Sequence, residues 1–142
     1  MNVGSAERSS LSSVSQVREW WPLVPPLLKT VVSGMAKHVL LVFTDPVEGR
    51  EDEYNTWYND VHLGEVLQTD GFVRAQRFKV ADMMPGVTEH EYVAIYELET
   101  DDPGAAMKAL GAAGKGFTMT DAADLKKAKM SLASQVSDLV EG

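Results

Sequence analysis

Between Lys37 and Val136 the spacing of apolar residues switches between period two and a helical period in a fixed order, which restricts the available folds sharply. Lys37–Thr44 is β-branched and apolar, and Asp45-Pro46 ends it, so it reads as a strand and a turn. Over residues 50–68 Tyr54, Trp57, Tyr58, Val61 and Glu65 fall along one helical stripe, and acidic residues in the first turn complement the helix dipole. Gly64 is expected to bend or break this helix just after His62, and Asp70-Gly71 to stop it. Phe72–Val80 alternates again, which predicts Phe72, Arg74, Gln76, Phe78 and Val80 on one face of a second strand. After a loop holding Met83, Met84, Pro85 and Gly86, Glu91–Glu99 sets Tyr92, Ala94, Tyr96 and Leu98 opposite Val93, Ile95 and Glu97.

Thr100-Asp101-Asp102-Pro103 then combines capping side chains with a proline suited to a first helical turn. The helix it opens runs to about Ala113, buries Ala106, Met107 and Leu110, and ends at Gly114 and Gly116. Thr120-Asp121 is placed to cap a short helix through Lys127, and Met130–Val136 alternates as a last strand. The order β-α-β-β-α-β is the split βαβ, ferredoxin-like arrangement, an α+β fold. Its four-stranded antiparallel sheet carries both helices on one face. Because the strands have apolar residues on both sides, a lone protomer would expose an apolar sheet. Packing sheet to sheet across a two-fold axis covers it, which predicts a homodimer.

Residues 1–34 differ in kind. They hold seven serines, a Trp20-Trp21-Pro22 step and the Pro25-Pro26 pair, with no sustained periodicity. The prolines forbid a regular helix through their apolar stretch, and neither a secretory nor a transit signal matches. We expect a disordered or non-native extension, with the folded domain at 35–142 beginning at Met35-Ala36-Lys37. The extension takes with it three basic and two acidic groups of a chain whose net charge is −8, so the acidity belongs to the domain. An acidic face disfavours nucleic acid and anionic lipid, and no apolar run approaches the roughly 20 residues of a membrane span. With no cysteine in the chain there is no disulfide, thiolate nucleophile or thiolate metal site. The setting expected from these features is the cytoplasm.

His62 is the residue best suited to chemistry, since an ordinary pKa near 6.5 makes it a base or an acid at neutral pH. The alternative is a helix C-terminal cap favoured by the dipole. Tyr58 stands one turn before it and either polarises a carbonyl beside it or packs in the core. Trp57 and Tyr54 share the stripe as pocket or core aromatics. Glu65 either orients a ring nitrogen of His62, if the helix is continuous, or does not reach it. Arg74 and Gln76, on a face with Phe72 and Phe78, are candidates to put a polar group into an otherwise apolar cavity. His38 either faces the pocket or sits exposed at a strand start, and His90 reads as a surface loop residue. His62 and Glu65 resemble half of a metal ligand set, but no third ligand has suitable spacing, so no metal is expected.

The stretch Tyr54-Asn55-Thr56-Trp57-Tyr58-Asn59-Asp60-Val61-His62, followed by Gly71-Phe72 and Arg77-Phe78, resembles the EthD-like branch of the dimeric α+β barrel superfamily. The resemblance implies a ferredoxin-like protomer, a dimer whose sheets form a barrel, and a pocket between sheet and helices in each protomer. It also implies a second His or Tyr from a strand. Here the second strand has none and the third offers only Tyr92 and Tyr96. Two functions follow as expectations. One is a small enzyme without cofactors in which His62 and Tyr58 move a proton on an aromatic, polyketide-like or alicyclic carbonyl compound. Isomerase, dehydratase, lyase and cofactorless oxygenase chemistry all fit it. The other is a non-catalytic dimer that binds a small hydrophobic molecule or assists another enzyme.

Overall fold

Four strands form one antiparallel sheet in the order β2-β3-β1-β4, with β1 Lys37–Thr44, β2 Phe72–Lys79, β3 Tyr92–Glu99 and β4 Lys129–Ser134. This computed structural model describes residues 35–84, 86 and 88–142. The expectations for residues 1–34 lie outside the described residues, as does Pro85 of the expected methionine loop. Ala36–Gly142 is one compact unit.

Between β1 and β2 residues 51–66 are helical without a break, in three consecutive pieces: α1 Glu51–Trp57, a π-helical turn Tyr58–His62, and α2 Leu63–Val66. Glu51, Asp52 and Glu53 occupy the first turn, where negative charge complements the helix dipole. Helix α3, Pro103–Ala113, begins as its sequence predicts, with the Asp102 carboxylate accepting from the Ala105 N–H at 2.9 Å and proline in its first turn. The expected helix after Thr120 shrinks to a 3-10 turn at Leu125–Lys127.

The face of β3 that carries Tyr92, Ala94, Tyr96 and Leu98 is buried. It joins Leu40 from β1, Tyr54, Trp57 and Tyr58 from the helical segment, Val66 from α2 and Ala106 from α3 in a single core. Full burial of a large apolar side chain contributes about 1.5–3 kcal/mol, so this aromatic-rich layer between helices and sheet dominates the fold's stability. The opposite face shows Leu41, Phe43, Val93 and Ile95 half-buried and Phe78 exposed.

Two local features depart from the sequence expectation. Gly64 does not break the helix, because α2 continues through it; the irregularity is the π-turn immediately before, where the Leu63 N–H donates to the Tyr58 carbonyl five residues back. The second is a β-bulge at the start of β2, where the register slips between Phe72 and Arg74. Gly71 leads into it at φ +95°, a conformation that side-chain-bearing residues adopt at a cost, and its carbonyl accepts from the Glu99 N–H at 2.9 Å. One extra residue reverses which side chains face the helices. Phe72 is on the core side, but beyond the bulge it is Ala75 and Arg77 that follow it there, opposite Tyr96 and Ala94.

Candidate functional site

The π-turn builds the site. An α-helix places residues five apart on different faces, whereas the wider π-turn brings them into line. Trp57 and His62 therefore stack, with centroids 4.6 Å apart and planes 21° from parallel. Tyr58 meets the imidazole edge-on at 5.0 Å, and Phe117, from the strand-like segment after α3, does so at 5.6 Å. Three aromatic rings thus box His62. Its Nδ1 is buried with no hydrogen-bond partner among the described residues. Burial pushes its pKa below the ordinary histidine value; Glu65 opposes that shift, and the Arg77 charge adds to it. A neutral imidazole with an unused ring nitrogen is suited to accept a proton. This is not the environment of a dipole-stabilised helix cap, since the helix runs on through Val66.

Tyr58 is 2% exposed, and burial raises its pKa, so it stays a protonated phenol. Its ring also meets Trp57 at 5.2 Å and Tyr54 at 5.7 Å, both nearly edge-on. The Tyr54 hydroxyl is used inside the core, 2.5 Å from Thr44 Oγ1. Tyr96, 1% exposed, turns its hydroxyl into the same layer with no hydrogen-bond partner among the described residues, and burial raises its pKa as well.

Glu65 does not reach His62. Its carboxylate accepts from the Thr118 N–H and from Thr118 Oγ1, each at 3.0 Å, while the Trp57 indole N–H donates to the Thr118 carbonyl at 2.6 Å. Together they tie the segment carrying Phe117 across His62.

The bulge sends Arg74, Gln76 and Phe78 to the face away from the helices, so the expectation that they share a cavity with Phe72 is overturned. Arg74 pairs there with Glu97 at 3.1 Å, and Gln76 and Phe78 are exposed. The residue the expectation missed is Arg77. Its guanidinium lies over the Tyr58 ring at 4.2 Å and near Tyr54 and Tyr92 at 5.1 Å, and it donates to Asn59 Oδ1 at 2.7 Å and Asn55 Oδ1 at 2.9 Å. A sequence signal exists. Asn55 and Asn59 are one turn apart beside Tyr54 and Tyr58, a pair of amide acceptors awaiting a donor from the sheet.

The remaining histidines are structural. His38 is buried, with Nε2 3.1 Å from the Thr100 carbonyl and Nδ1 2.9 Å from Ser134 Oγ; the carbonyl can only accept, so Nε2 carries the proton. His90 is no free surface residue, because its Nδ1 contacts Asp45 Oδ2 at 2.7 Å and both side chains are largely covered. Surface clefts open at two places among the described residues. One of about 610 Å³ runs along the helical segment and touches Trp57 and Met119; the other, about 1260 Å³, opens beside His90. Neither is lined by His62 or Tyr58. The layer in which the resemblance implies a pocket is filled by the aromatic rings just described.

No protein-family model matches the sequence, and no curated protein matches it. Solved structures are similar in fold. An ethyl tert-butyl ether D (EthD) family protein from Bacillus halodurans is 11% identical, with 72% of this chain and 100% of that one covered at a TM-score of 0.50. The haem degrader MhuD from Mycobacterium tuberculosis, solved with two haems in its active site, is 19% identical over 72% and 99% at a TM-score of 0.50. SnoaB, a cofactor-independent oxygenase from Streptomyces nogalater, is 14% identical over 74% and 98% at a TM-score of 0.44. Element order, strand order and the two likenesses at a TM-score of 0.50 agree, and the chain has the ferredoxin-like fold seen in the EthD family protein.

Proposed function

We propose that this protein is a small enzyme in which His62 transfers a proton on a hydrophobic, ring-bearing carbonyl compound, working as a homodimer in the cytoplasm. The observation that carries this reading is the buried, unpartnered Nδ1 of an imidazole boxed by Trp57, Tyr58 and Phe117. Buried polar atoms in folded proteins are nearly always hydrogen-bonded, so an orphan ring nitrogen in an aromatic box suits a substrate group. Neutral His62 takes a proton from the carbon next to the carbonyl, leaving imidazolium and an enolate. Returning that proton elsewhere on the carbon skeleton isomerises the compound. Tyr58, held as a phenol, is available to donate to the carbonyl oxygen as charge develops there.

His62 is half-buried among the rings, and substrate reaches its Nδ1 by displacing the Phe117 segment, since that nitrogen is buried in the conformation described. We assign the chemistry to side chains of the chain itself, with the buried Nδ1 of His62 as the base. The half-buried Leu41, Phe43, Val93 and Ile95 supply the apolar sheet face for pairing with a second copy. Among the described residues no helix is long and apolar enough to cross a membrane.

A panel of aromatic and alicyclic ketones, followed by NMR for solvent deuterium incorporation and product, tests the reading in wild type and His62→Gln. Loss of exchange with retained ketone binding supports the enzyme. The close aromatic cover of His62 also suits a protein that only holds a hydrophobic molecule, and unchanged behaviour of His62→Gln selects that reading.

A further inference from the structure

Among the described residues Arg77 is a cation without a carboxylate partner, in a domain rich in carboxylates. Arg50 pairs with Glu53 and Asp121, Arg74 with Glu97 and Glu99, and Lys79 with Glu51. Among the described residues none of the ion pairs includes Arg77. Two neutral amide oxygens, from Asn55 and Asn59, hold its terminal nitrogens instead. They orient the guanidinium and leave its charge intact. Its Nε is buried, with no acceptor among the described residues.

Arg77 covers Tyr58 at 4.2 Å, and Tyr58 in turn meets His62 at 5.0 Å, so cation, phenol and imidazole form a contiguous column. Tyr96 adds an independent observation: a side chain that is 1% exposed, on the same buried sheet face, with a hydroxyl that has no partner among the described residues. Two buried donors, Arg77 Nε–H and Tyr96 O–H, thus make no hydrogen bond of normal geometry among the described residues, with the Tyr58 side chain beside that of Tyr96. A half-buried cation with a buried, unused Nε–H favours an anionic oxygen, because charge-assisted hydrogen bonds are the strong ones. A flat aromatic surround favours a planar ring to carry that oxygen.

We propose that Arg77, with Tyr96, binds the ionised oxygen of a planar aromatic or enolic ligand, so that the protein takes phenolates or enolates in preference to neutral isosteres. This rests on reading the His62 box as the ligand site, and adds to it the charge of the ligand. The guanidinium is a binding residue here; the proton transfer remains with His62.

The test uses the full chain with 4-nitrophenol and its neutral isostere 4-nitroanisole. Binding is followed by phenolate absorbance across pH and by quenching of protein fluorescence. Wild type is expected to bind 4-nitrophenolate at least about tenfold more tightly than 4-nitroanisole and to lower the apparent pKa of bound nitrophenol. Arg77→Met is expected to lose that preference while still binding 4-nitroanisole, and Arg77→Lys to recover part of it. Equal binding of the two probes by wild type overturns the proposal without any variant, as does a preference that survives Arg77→Met. If neither probe binds, the anion site falls together with the ligand site. His62→Gln separates the two readings. Retained anion preference with unchanged proton exchange on the ketone panel removes the catalytic role of His62 and leaves the Arg77 site standing.

Discussion

The Glu65 carboxylate holds Thr118 by both its amide and its hydroxyl, three residues along the helix from the imidazole that the neighbouring Phe117 covers. A residue expected to orient His62 directly thus acts on it through the segment that closes over it.

Glu65→Gln is expected to weaken this tie and Glu65→Ala to remove it. Each charge-assisted contact is partly open to water, so the cost to global stability is about 1 kcal/mol. The larger effect is local. Amide hydrogen exchange at Thr118 should accelerate, and His62 should react faster with diethylpyrocarbonate, with His38 and His90 as internal references. Unchanged exchange and reactivity in Glu65→Ala would show that Thr118 is held by Trp57 alone.

Ile95 sits mid-strand on the sheet face away from the helices, opposite Leu41 on β1 and Gln76 on β2. Ile95→Lys is expected to leave the core beneath untouched and to prevent sheet-to-sheet pairing. Sedimentation should show a dimer for wild type and a monomer for the variant, with similar far-ultraviolet circular dichroism. A variant that remains dimeric places the interface elsewhere.

Much of this fold was legible because it rests on periodicity. The alternation in Lys37–Thr44 and Tyr92–Glu99, and the stripe of Tyr54, Trp57 and Tyr58, each report a face that must be buried. The bulge after Phe72 was not, since one inserted residue leaves composition unchanged and reverses every side chain after it. Alternation therefore pointed to Arg74 and Gln76, while the backbone delivered Arg77. The π-turn escaped for a related reason: Trp57 and His62 are five apart, a spacing with no meaning on an α-helix. The closing segment was hidden because Phe117 and Thr118 reach His62, Trp57 and Glu65 through tertiary contacts more than fifty residues apart in sequence.

Stability should depend on the protonation of His62 in a definite direction. Its folded pKa is depressed, mainly by burial, so the unfolded chain binds the proton more readily. The contribution is fully present above the unfolded value of about 6.5 and is lost as pH falls through the folded value. Urea unfolding from pH 7.5 down to pH 5 should therefore show falling stability, and His62→Phe should flatten part of that slope. An unchanged slope in His62→Phe would assign it to other groups.

The most direct test of the central claim is an NMR titration of the His62 ring in the full chain, free and with an aromatic ketone bound. A half-buried neutral base in an aromatic box predicts a pKa below the ordinary value of about 6.5 that moves again when the ketone binds. A ring that titrates at or above 6.5 and ignores every ketone would contradict the account, leaving His62 as a packing residue.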